Sequence, residues 1–234
     1  VVSLISMLVP VVALGVIIYI IVVVSKKKES NTKFKLSSKM LLQIYLFSLS
    51  FLTLGIAVIG GATAIKSSLS YYFDIPFSYT LQRVNTYDPY LEYEKPLEGE
   101  LEKCYEGTPV TYFDKEFCFD TNQRKSDLVN GITLFVSMVI LFSIHRYAIS
   151  RLKEKEIFGW LKKIYIFASL ILYSIVSIIA IPTAIYQTTN YFLFESGSNM
   201  YSTPSAPATS IAVAVLSVPL WIYFLRETTK LKDD

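Results

Sequence analysis

Long runs without charged side chains constrain this chain more than any other feature. No Asp, Glu, Lys or Arg occurs in 1–25, 40–65, 128–144, 164–194 or 196–225. A helix of about 20 apolar residues is long enough to cross the roughly 30 Å hydrocarbon core of a bilayer. With 53% hydrophobic and only 18% charged residues, the chain is too apolar for a soluble enzyme, a nucleic-acid-binding domain or a fibrous protein.

The charge-free runs predict an all-α integral membrane protein with five transmembrane helices. We place the helices where each run meets charged or aromatic residues, at 2–24, 41–65, 129–147, 164–187 and 208–225. The chain then divides into an N-terminal anchor (1–25), a cytoplasmic basic linker (26–39), a first two-helix unit (40–150) with a long connection (66–127), a cytoplasmic connector (151–163), and a second two-helix unit with a tail (164–234).

The distribution of charged residues predicts the orientation. Basic residues near span ends are retained on the cytoplasmic side. The segments 26–39, 146–163 and 226–234 contain 15 of the 22 Lys and Arg residues, whereas 66–127 and 188–207 contain 13 of the 19 Asp and Glu residues. We therefore expect the N-terminus outside and the C-terminus in the cytoplasm. Since basic residues follow the first span and do not precede it, we interpret it as a retained anchor, with a removed signal sequence or further chain before it.

The second and fourth spans resemble each other at an offset of 120 residues. Segments 41–73 and 161–193 share these identical pairs: Ile44 and Ile164, Tyr45 and Tyr165, Phe47 and Phe167, Thr63 to Ile65 and Thr183 to Ile185, and Tyr71 and Tyr191. Duplication of a helical hairpin predicts a four-helix bundle with a pseudo-twofold axis along the membrane normal, to which the N-terminal anchor is added. The alternative is that two Ile- and Leu-rich helices resemble each other by composition.

Small and hydroxyl-bearing residues within the spans predict close helix packing. Gly55, Gly60 and Gly61 would allow two backbones to approach, which is how helices associate where lipid gives no hydrophobic driving force. Ser50 and Ser177, like the other polar residues of these spans, are more typical of interhelical hydrogen bonds than of a transport pathway.

Four stretches suggest a family: SSKMLLQIYLFSLSFLTLGIAVIGG, GITLFVSMVILFSIHR, YQTTNYFLFESG and VPLWIYFLRE. Over roughly 37–230 the chain resembles an uncharacterised family of bacterial multi-span membrane proteins, defined only as a domain of unknown function. The resemblance implies the bacterial cytoplasmic (inner) membrane and a duplicated four-helix domain. It implies no activity and no site residues.

Cys104 and Cys118, the only two cysteines, both lie in the connection predicted to be outside. Oxidising conditions there favour a disulfide, which would stabilise a loop of this size by about 3 kcal/mol. A redox-active pair is the alternative, but the spacing is not Cys-x-x-Cys and no His lies nearby. Two cysteines without His supply too few ligands for zinc.

The same connection is rich in tyrosine, a side chain that gives large contact area at low entropic cost. We expect partner docking through Tyr87, Tyr90, Tyr93, Tyr105 and Tyr112. An aromatic belt at the lipid headgroups is the alternative. Its excess of Asp and Glu argues against binding of nucleic acid or anionic lipid on this face, and the acidic residues lack the pattern of a calcium loop.

Four residues near span ends are predicted to lie at the membrane interface: His145, Arg146, Trp160 and Trp221. His145 is the only histidine, so bis-histidine haem ligation is excluded, and a proton relay or a single haem ligand is the alternative reading. We expect no cofactor, no metal and no catalytic residue, because no nucleotide-binding loop, nucleophile elbow or metalloprotease motif occurs.

These observations favour a non-enzymatic integral membrane protein that acts as a subunit or scaffold of a larger membrane assembly. Its expected partners are the lipid bilayer and other membrane proteins or a second copy of itself. The alternative is a small-solute or lipid transporter or channel with a cavity between the two repeats, since duplicated bundles are a common plan for transporters.

Overall fold

The computed structural model describes residues 38–79, 82–83, 107–112, 115–152, 158–193 and 206–231. These residues form four long helices: α1 (Ser38–Tyr72), α3 (Thr121–Arg151), α4 (Gly159–Leu193) and α5 (Ala208–Thr229). Between α1 and α3 lie a short helix, α2 (Ile75–Ser78), and three strands, β1 (Gln82–Arg83), β2 (Thr108–Tyr112) and β3 (Lys115–Phe119).

All four long helices are long and apolar enough to cross a membrane. The prediction of a mostly helical, multi-pass membrane protein is therefore confirmed. The predicted anchor, 1–25, lies outside the described residues, so the count of five spans stays a prediction. The end of the bundle that carries residues 66–127 is called the loop end below.

The helices extend past the predicted spans at the loop end. α1 continues to Tyr72 and α3 already begins at Thr121, which is roughly two turns beyond Lys66 and Asp127 on each side. These two charges do not end their helices, because Lys66 Nζ lies 3.3 Å from the Asp127 carboxylate on the neighbouring helix. Asp120 caps α3, since its side chain accepts a hydrogen bond from the backbone N–H of Asn122 at 2.8 Å.

The three strands form an antiparallel sheet in the order β1-β3-β2. No strand was expected in this connection. Tyr79 and Phe119, both 4% exposed, form a small core with Ile75 and Val110 packed against them. Gly107 precedes β2 with φ of 131°, and a Cβ there would lie 2.7 Å from the carbonyl oxygen of Phe119. Glycine is required at this turn because other residues rarely adopt that φ and would also clash.

The long helices pack as two hairpins. α1 packs along α3 to form the first hairpin, and α4 packs along α5 to form the second hairpin. The two hairpins join mainly through α1 and α5, with a smaller contact between α1 and α4. A pseudo-twofold axis would give α3 and α4 the same contact as α1 and α5, yet no comparable packing joins α3 and α4 among the described residues. The packing is therefore not twofold symmetric, and the duplication stays a prediction.

The first hairpin is built on a backbone contact between glycines. A Cβ added at Gly60 would lie 2.7 Å from the backbone nitrogen of Phe135, and one at Gly131 would lie 2.5 Å from that of Ala64. The close approach predicted at Gly60 is confirmed. At Gly55 the prediction was wrong, because nothing lies within 4 Å of a Cβ there.

The main apolar core lies away from the loop end and is dominated by aromatic side chains. Phe224 of α5 stacks on Tyr173 of α4, with ring centroids 5.8 Å apart and an interplanar angle of 4°. Tyr165 meets Phe224 edge-on at 5.9 Å. At the same end Gln43, 1% exposed, accepts a hydrogen bond from the backbone N–H of Phe158 at 3.0 Å, which joins the start of α1 to the start of α4.

Candidate functional site

A cavity of about 840 Å³ lies at the loop end between the two hairpins. Every long helix contributes to it, and so does the end of α2. The lining residues are Lys66, Ser78, Tyr79, Gln123, Val176, Ile179, Ala180, Thr183, Gln187, Ala206, Thr209, Ser210 and Val213. The cavity is open along one side, since its lining residue Ile179 is 63% exposed. Its volume is within the range of pockets that hold small organic ligands.

The cavity is polar at its rim and apolar at its deep end. Val176 and Ala180 of α4 and Val213 of α5 line the part nearest the middle of the bundle. Lys66 and Gln187 lie toward the loop end. The lining of α4 from residue 176 to residue 187 extends roughly 16 Å along the helix axis. The cavity therefore reaches from the end of the apolar span to about its middle.

An ion pair ties the first hairpin together at the cavity rim. Lys66 Nζ lies 3.3 Å from Asp127 Oδ2, and the Tyr79 hydroxyl donates a hydrogen bond to the same oxygen at 3.1 Å. Lys66 Nζ also lies 4.1 Å from the centroid of the Tyr79 ring, within range of a cation–π contact. Burial, with the nearby Asp127 carboxylate, raises the pKa of Tyr79 to about 12. Tyr79 therefore remains a neutral donor at physiological pH.

A second cation, Arg124, stabilises this rim. The Arg124 guanidinium lies 4.1 Å from the centroid of the Tyr71 ring and donates to the backbone carbonyl of Ser70 at 3.4 Å. Ser67 in turn donates to the backbone carbonyl of Arg124 at 2.7 Å. These contacts fix the loop ends of α1 and α3 together, so the position of Lys66 at the rim is set by several independent interactions.

Buried hydroxyl groups continue from the cavity into the bundle. Ser78, 1% exposed, lines the cavity, and its Oγ has no hydrogen-bond partner among the described residues. Below the cavity Ser177 donates to Ser217 at 3.2 Å. Further along α4, Ser169 Oγ and the Tyr173 hydroxyl are buried without a partner in the described part of the chain. Ser169, Tyr173 and Ser177 recur every four residues, which places them on one face of α4.

Most of the predicted docking and disulfide residues fall outside the described part of the chain: Tyr87, Tyr90, Tyr93, Cys104 and Tyr105. Tyr112 lies in β2, at the edge of the sheet. Cys118 lies in β3, between Gln82 of β1 and Pro109 of β2. The disulfide and the docking surface stay predictions.

The four residues predicted at the membrane interface lie at the end opposite the cavity. Trp160 and Trp221 pack against the aromatic core and are partly buried. His145 Nδ1 lies 2.6 Å from the carbonyl oxygen of Leu141, four residues earlier in the same helix, and its ring is 6.0 Å from that of Tyr45. Arg146 lies over the Tyr165 ring at 5.8 Å. His145 thus contacts the other helix of the first hairpin, α1, whereas Arg146 joins α3 to α4 of the second hairpin.

Sequence reasoning missed the cavity residues themselves. Lys66, Tyr79 and Gln123 fall in the segment 66–127, which was interpreted as a connection, and Gln187 was read as the border of a span. One signal was available, because Lys66 and Asp127 stand at matching ends of consecutive spans and carry opposite charges. Among the described residues no group of His, Cys, Asp and Glu side chains could hold a metal ion.

Comparison with protein-family models, with curated proteins and with solved structures finds no match to this chain. Its resemblance to a bacterial multi-span family therefore stays a prediction.

Proposed function

We propose that this membrane protein binds a small solute or a lipid in the cavity between its two hairpins and carries it across the bilayer. The cavity itself supports the proposal: about 840 Å³ of space is lined by all four long helices and reaches from the loop end to about the middle of the apolar spans. Sites at the interface of two helical units near membrane depth are a recurrent plan in transporters.

The buried hydroxyls of α4 support transport in addition to binding. Ser177, Tyr173 and Ser169 lie on one face of α4, progressively farther from the cavity. Buried polar groups normally have partners, and an unpartnered group inside a membrane protein marks a place for water or a polar ligand. The row therefore provides hydrogen-bonding groups for a solute or a lipid headgroup that moves beyond the cavity.

The orientation and location form part of the same proposal. We place the loop end outside and the end with Trp160 and Trp221 in the cytoplasm, because basic residues concentrate in the segments near the latter. The cavity would then open toward the extracytoplasmic side of a bacterial cytoplasmic membrane. No catalytic role is proposed.

Transport is testable in vesicles that contain the purified full chain. One set of phosphatidylglycerol and phosphatidylethanolamine vesicles carries a trace of fluorescent phosphatidylglycerol, and dithionite added outside bleaches every label that reaches the outer leaflet. A second set is tested for swelling in iso-osmotic ribitol by light scattering. Protein-free vesicles lose only the half of the label that lies in the outer leaflet. We expect the protein to raise the bleached fraction above this half, or to accelerate swelling.

A matched pair of variants assigns any transport to the cavity. Ala180→Phe places a ring in the cavity, whereas Ile178→Phe places the same ring on an exposed face of α4. Only Ala180→Phe should abolish transport, with folding of both checked by size-exclusion chromatography and circular dichroism. If Ala180→Phe does not fold, Val213→Phe serves in its place. Rates equal to those of protein-free vesicles in both assays would contradict the proposal.

A second candidate function is that of a subunit or scaffold, which the exposure of α3 favours. Only 6% of the apolar window of α3 is buried, against 33% for α1 and α4. Its exposed residues include Val129, Val136 and Ile140. Lipid covers such a face in a monomer, and a partner helix covers it in an assembly.

Native mass spectrometry separates these two situations. The tagged protein would be extracted from its own membrane in nanodiscs under non-reducing conditions. Stoichiometric co-purifying proteins or a homodimer, lost on Val136→Trp but retained on Val215→Trp of the exposed face of α5, would support the subunit function. A monomer for the unsubstituted protein and for the Val215→Trp variant would contradict the subunit function.

A further inference from the structure

We infer that the cavity takes an amphiphile with one hydrocarbon chain and an anionic head group, its head toward the loop end and its chain toward the middle of the bundle. The inference rests on the proposed function and names the class of molecule that the cavity binds. It depends on three features of the lining: the order of polar and apolar residues, the hydrogen-bond donors left unused, and the balance of charge.

The order of the lining residues matches the order of a lipid in the leaflet at the loop end. The deep residues Val176, Ala180 and Val213 offer only apolar side chains. The rim offers Lys66 and Gln187. A purely polar solute would leave the deep apolar surface without a partner, and a pure hydrocarbon would bury the rim groups without hydrogen bonds, which is costly. An amphiphile about 16 Å long satisfies both ends of the cavity.

The polar groups at the rim retain unused donors. Gln187 Oε1 already accepts from Ser210 Oγ at 2.7 Å, which leaves the amide nitrogen of Gln187 to donate. The Lys66 ammonium carries three donor hydrogens, and Asp127 Oδ2 lies on one side of it at 3.3 Å. Ser78 Oγ has no partner within the described part of the chain. A head group that offers several acceptor oxygens, such as a phosphate or a carboxylate, matches this set.

The charge at the rim also favours an anion. Lys66 is the one charged side chain among the lining residues, and its partner Asp127 is not among them. The acidic excess of 66–127 argues against anionic lipid on this face as a whole, but no Asp or Glu is among the lining residues. Where the surroundings are less polar than water, a cation attracts an anion more strongly than it would in water.

Photolabelling tests the inference on the full chain in nanodiscs. The probe is a dodecyl phosphate with a diazirine in its alkyl chain, and mass spectrometry of peptides identifies the labelled residues. Three competitors are compared: dodecyl phosphate, dodecanol and inorganic phosphate. We expect label on residues 176–187 and 206–213, reduced at least tenfold by excess dodecyl phosphate and less than twofold by either of the other two, since they lack one half of the molecule.

Two matched pairs of variants locate the chain and the head group. Val213→Trp fills the cavity, whereas Val215→Trp adds the same bulk on an exposed face of α5. Lys66→Gln removes the cation at the rim, whereas Lys125→Gln removes one from an exposed position near the same end. Val213→Trp and Lys66→Gln should each lower the cavity label about tenfold, while the two control variants leave it unchanged.

The outcomes separate failure of this inference from failure of the proposed function. Cavity label that dodecanol removes as well as dodecyl phosphate, or that Lys66→Gln does not lower, would overturn the anionic head group and leave a binding cavity in place. Competition by inorganic phosphate alone would overturn the requirement for a chain. Label spread evenly over exposed residues such as Ile178, with no effect of Val213→Trp, would overturn both the inference and the proposed use of the cavity.

Discussion

The two hairpins are held together in opposite ways. α1 and α3 approach so closely that Gly131 has no room for a Cβ, which would lie 2.5 Å from the backbone nitrogen of Ala64. α4 and α5 meet through large side chains, with the Phe224 ring stacked on Tyr173 at 5.8 Å. In the first hairpin backbone contacts dominate, and in the second aromatic packing dominates.

This difference explains why the cavity lies where it does. The first hairpin, whose backbones are in contact, leaves little space between its own helices. The second hairpin is spaced by its side chains, and beyond Ser177 toward the loop end its α4 lining includes the small residues Ala180 and Thr183. The space opens between this part of α4 and the rigid loop end of the first hairpin. Substitution by a larger side chain should therefore destabilise the first hairpin, whereas truncation of a large side chain should destabilise the second.

The largest effect is expected from Gly131→Leu. The new side chain would meet the backbone of α1, which cannot give way as a flexible side chain could, so the helices must separate. We expect a loss of more than about 4 kcal/mol in the free energy of unfolding, or no folded protein. The measurement is unfolding by SDS titration followed by circular dichroism. Gly55→Leu is the control, because nothing lies within 4 Å of a Cβ there.

Equal stability of the Gly131→Leu and Gly55→Leu proteins would show that the helices of the first hairpin do not depend on backbone contact. Gly131→Ala is the milder test if the leucine variant does not express. It should lose about 2 kcal/mol, because even one methyl group overlaps the backbone of α1.

In the second hairpin the corresponding test is truncation. Phe224 is 1% exposed and contacts both Tyr173 and Tyr165. Phe224→Ala removes these contacts and leaves a cavity, so we expect a loss of about 3 kcal/mol. Tyr223→Ala, at a neighbouring position that is 46% exposed, should lose much less. Thermal unfolding followed by Trp fluorescence suits this region, since Trp221 packs on the same core. A similar loss from both variants would contradict the account of aromatic packing.

Sequence patterns predicted the four described membrane helices because apolar length alone is required to cross lipid. They did not predict where the helices end. A charged residue was taken as the end of a span, yet Lys66 and Asp127 neutralise each other across two helices, and each helix continues. Pairing between distant positions is a property of the packed structure, so composition could not show it. The pairing of β1 with β3 was missed for a related reason, since these strands are far apart in sequence. The pairing of β2 with β3, which are adjacent in sequence, was overlooked.

The candidate site was the least predictable part of the molecule. Its lining comes from five separate elements, and only Lys66 among its residues carries a charge. The sequence indicated only one of the two glycines in this contact. Gly60 lies in a cluster of small residues, whereas Gly131 stands alone between Asn130 and Ile132. A single glycine in an apolar helix gives no indication of its partner until the two helices are seen together.

The loop end of the first hairpin should contribute to the dependence of stability on alkaline pH. Burial raises the pKa of Tyr79 from 10.0 to about 12. The phenol therefore ionises near pH 10 in the unfolded chain and only near pH 12 in the folded protein. Its contribution to stability is complete below pH 10 and is lost as the pH rises to 12.

Thermal unfolding at pH 9 and pH 11 measures this contribution. The native protein should lose on the order of 2 °C more than Tyr79→Phe between the two values, because pH 11 lies only halfway through the interval from pH 10 to pH 12 in which this contribution is lost. The phenylalanine variant also loses the hydrogen bond to Asp127, but that loss is present at both pH values and cancels in the comparison. An equal drop in the two proteins would contradict the assignment.

The smallest effect is expected where the second hairpin uses a polar contact. Ser177 donates to Ser217 at 3.2 Å, and both side chains are buried. Hydrogen bonds between membrane helices contribute about 0.6 kcal/mol on average, because unfolded helices in lipid also find polar partners. A double-mutant cycle of Ser177→Ala and Ser217→Ala should give a coupling energy of about that size.

A coupling of 2 kcal/mol or more in this cycle would reverse the comparison between the hairpins. The second hairpin would then depend on its hydroxyls as strongly as on Phe224. A coupling near zero would instead leave both hydroxyls free to bind a solute, since a pair with little mutual energy can be separated at little cost. A coupling near zero would therefore favour a solute that passes Ser177 toward Tyr173 and Ser169, the next groups on that face of α4.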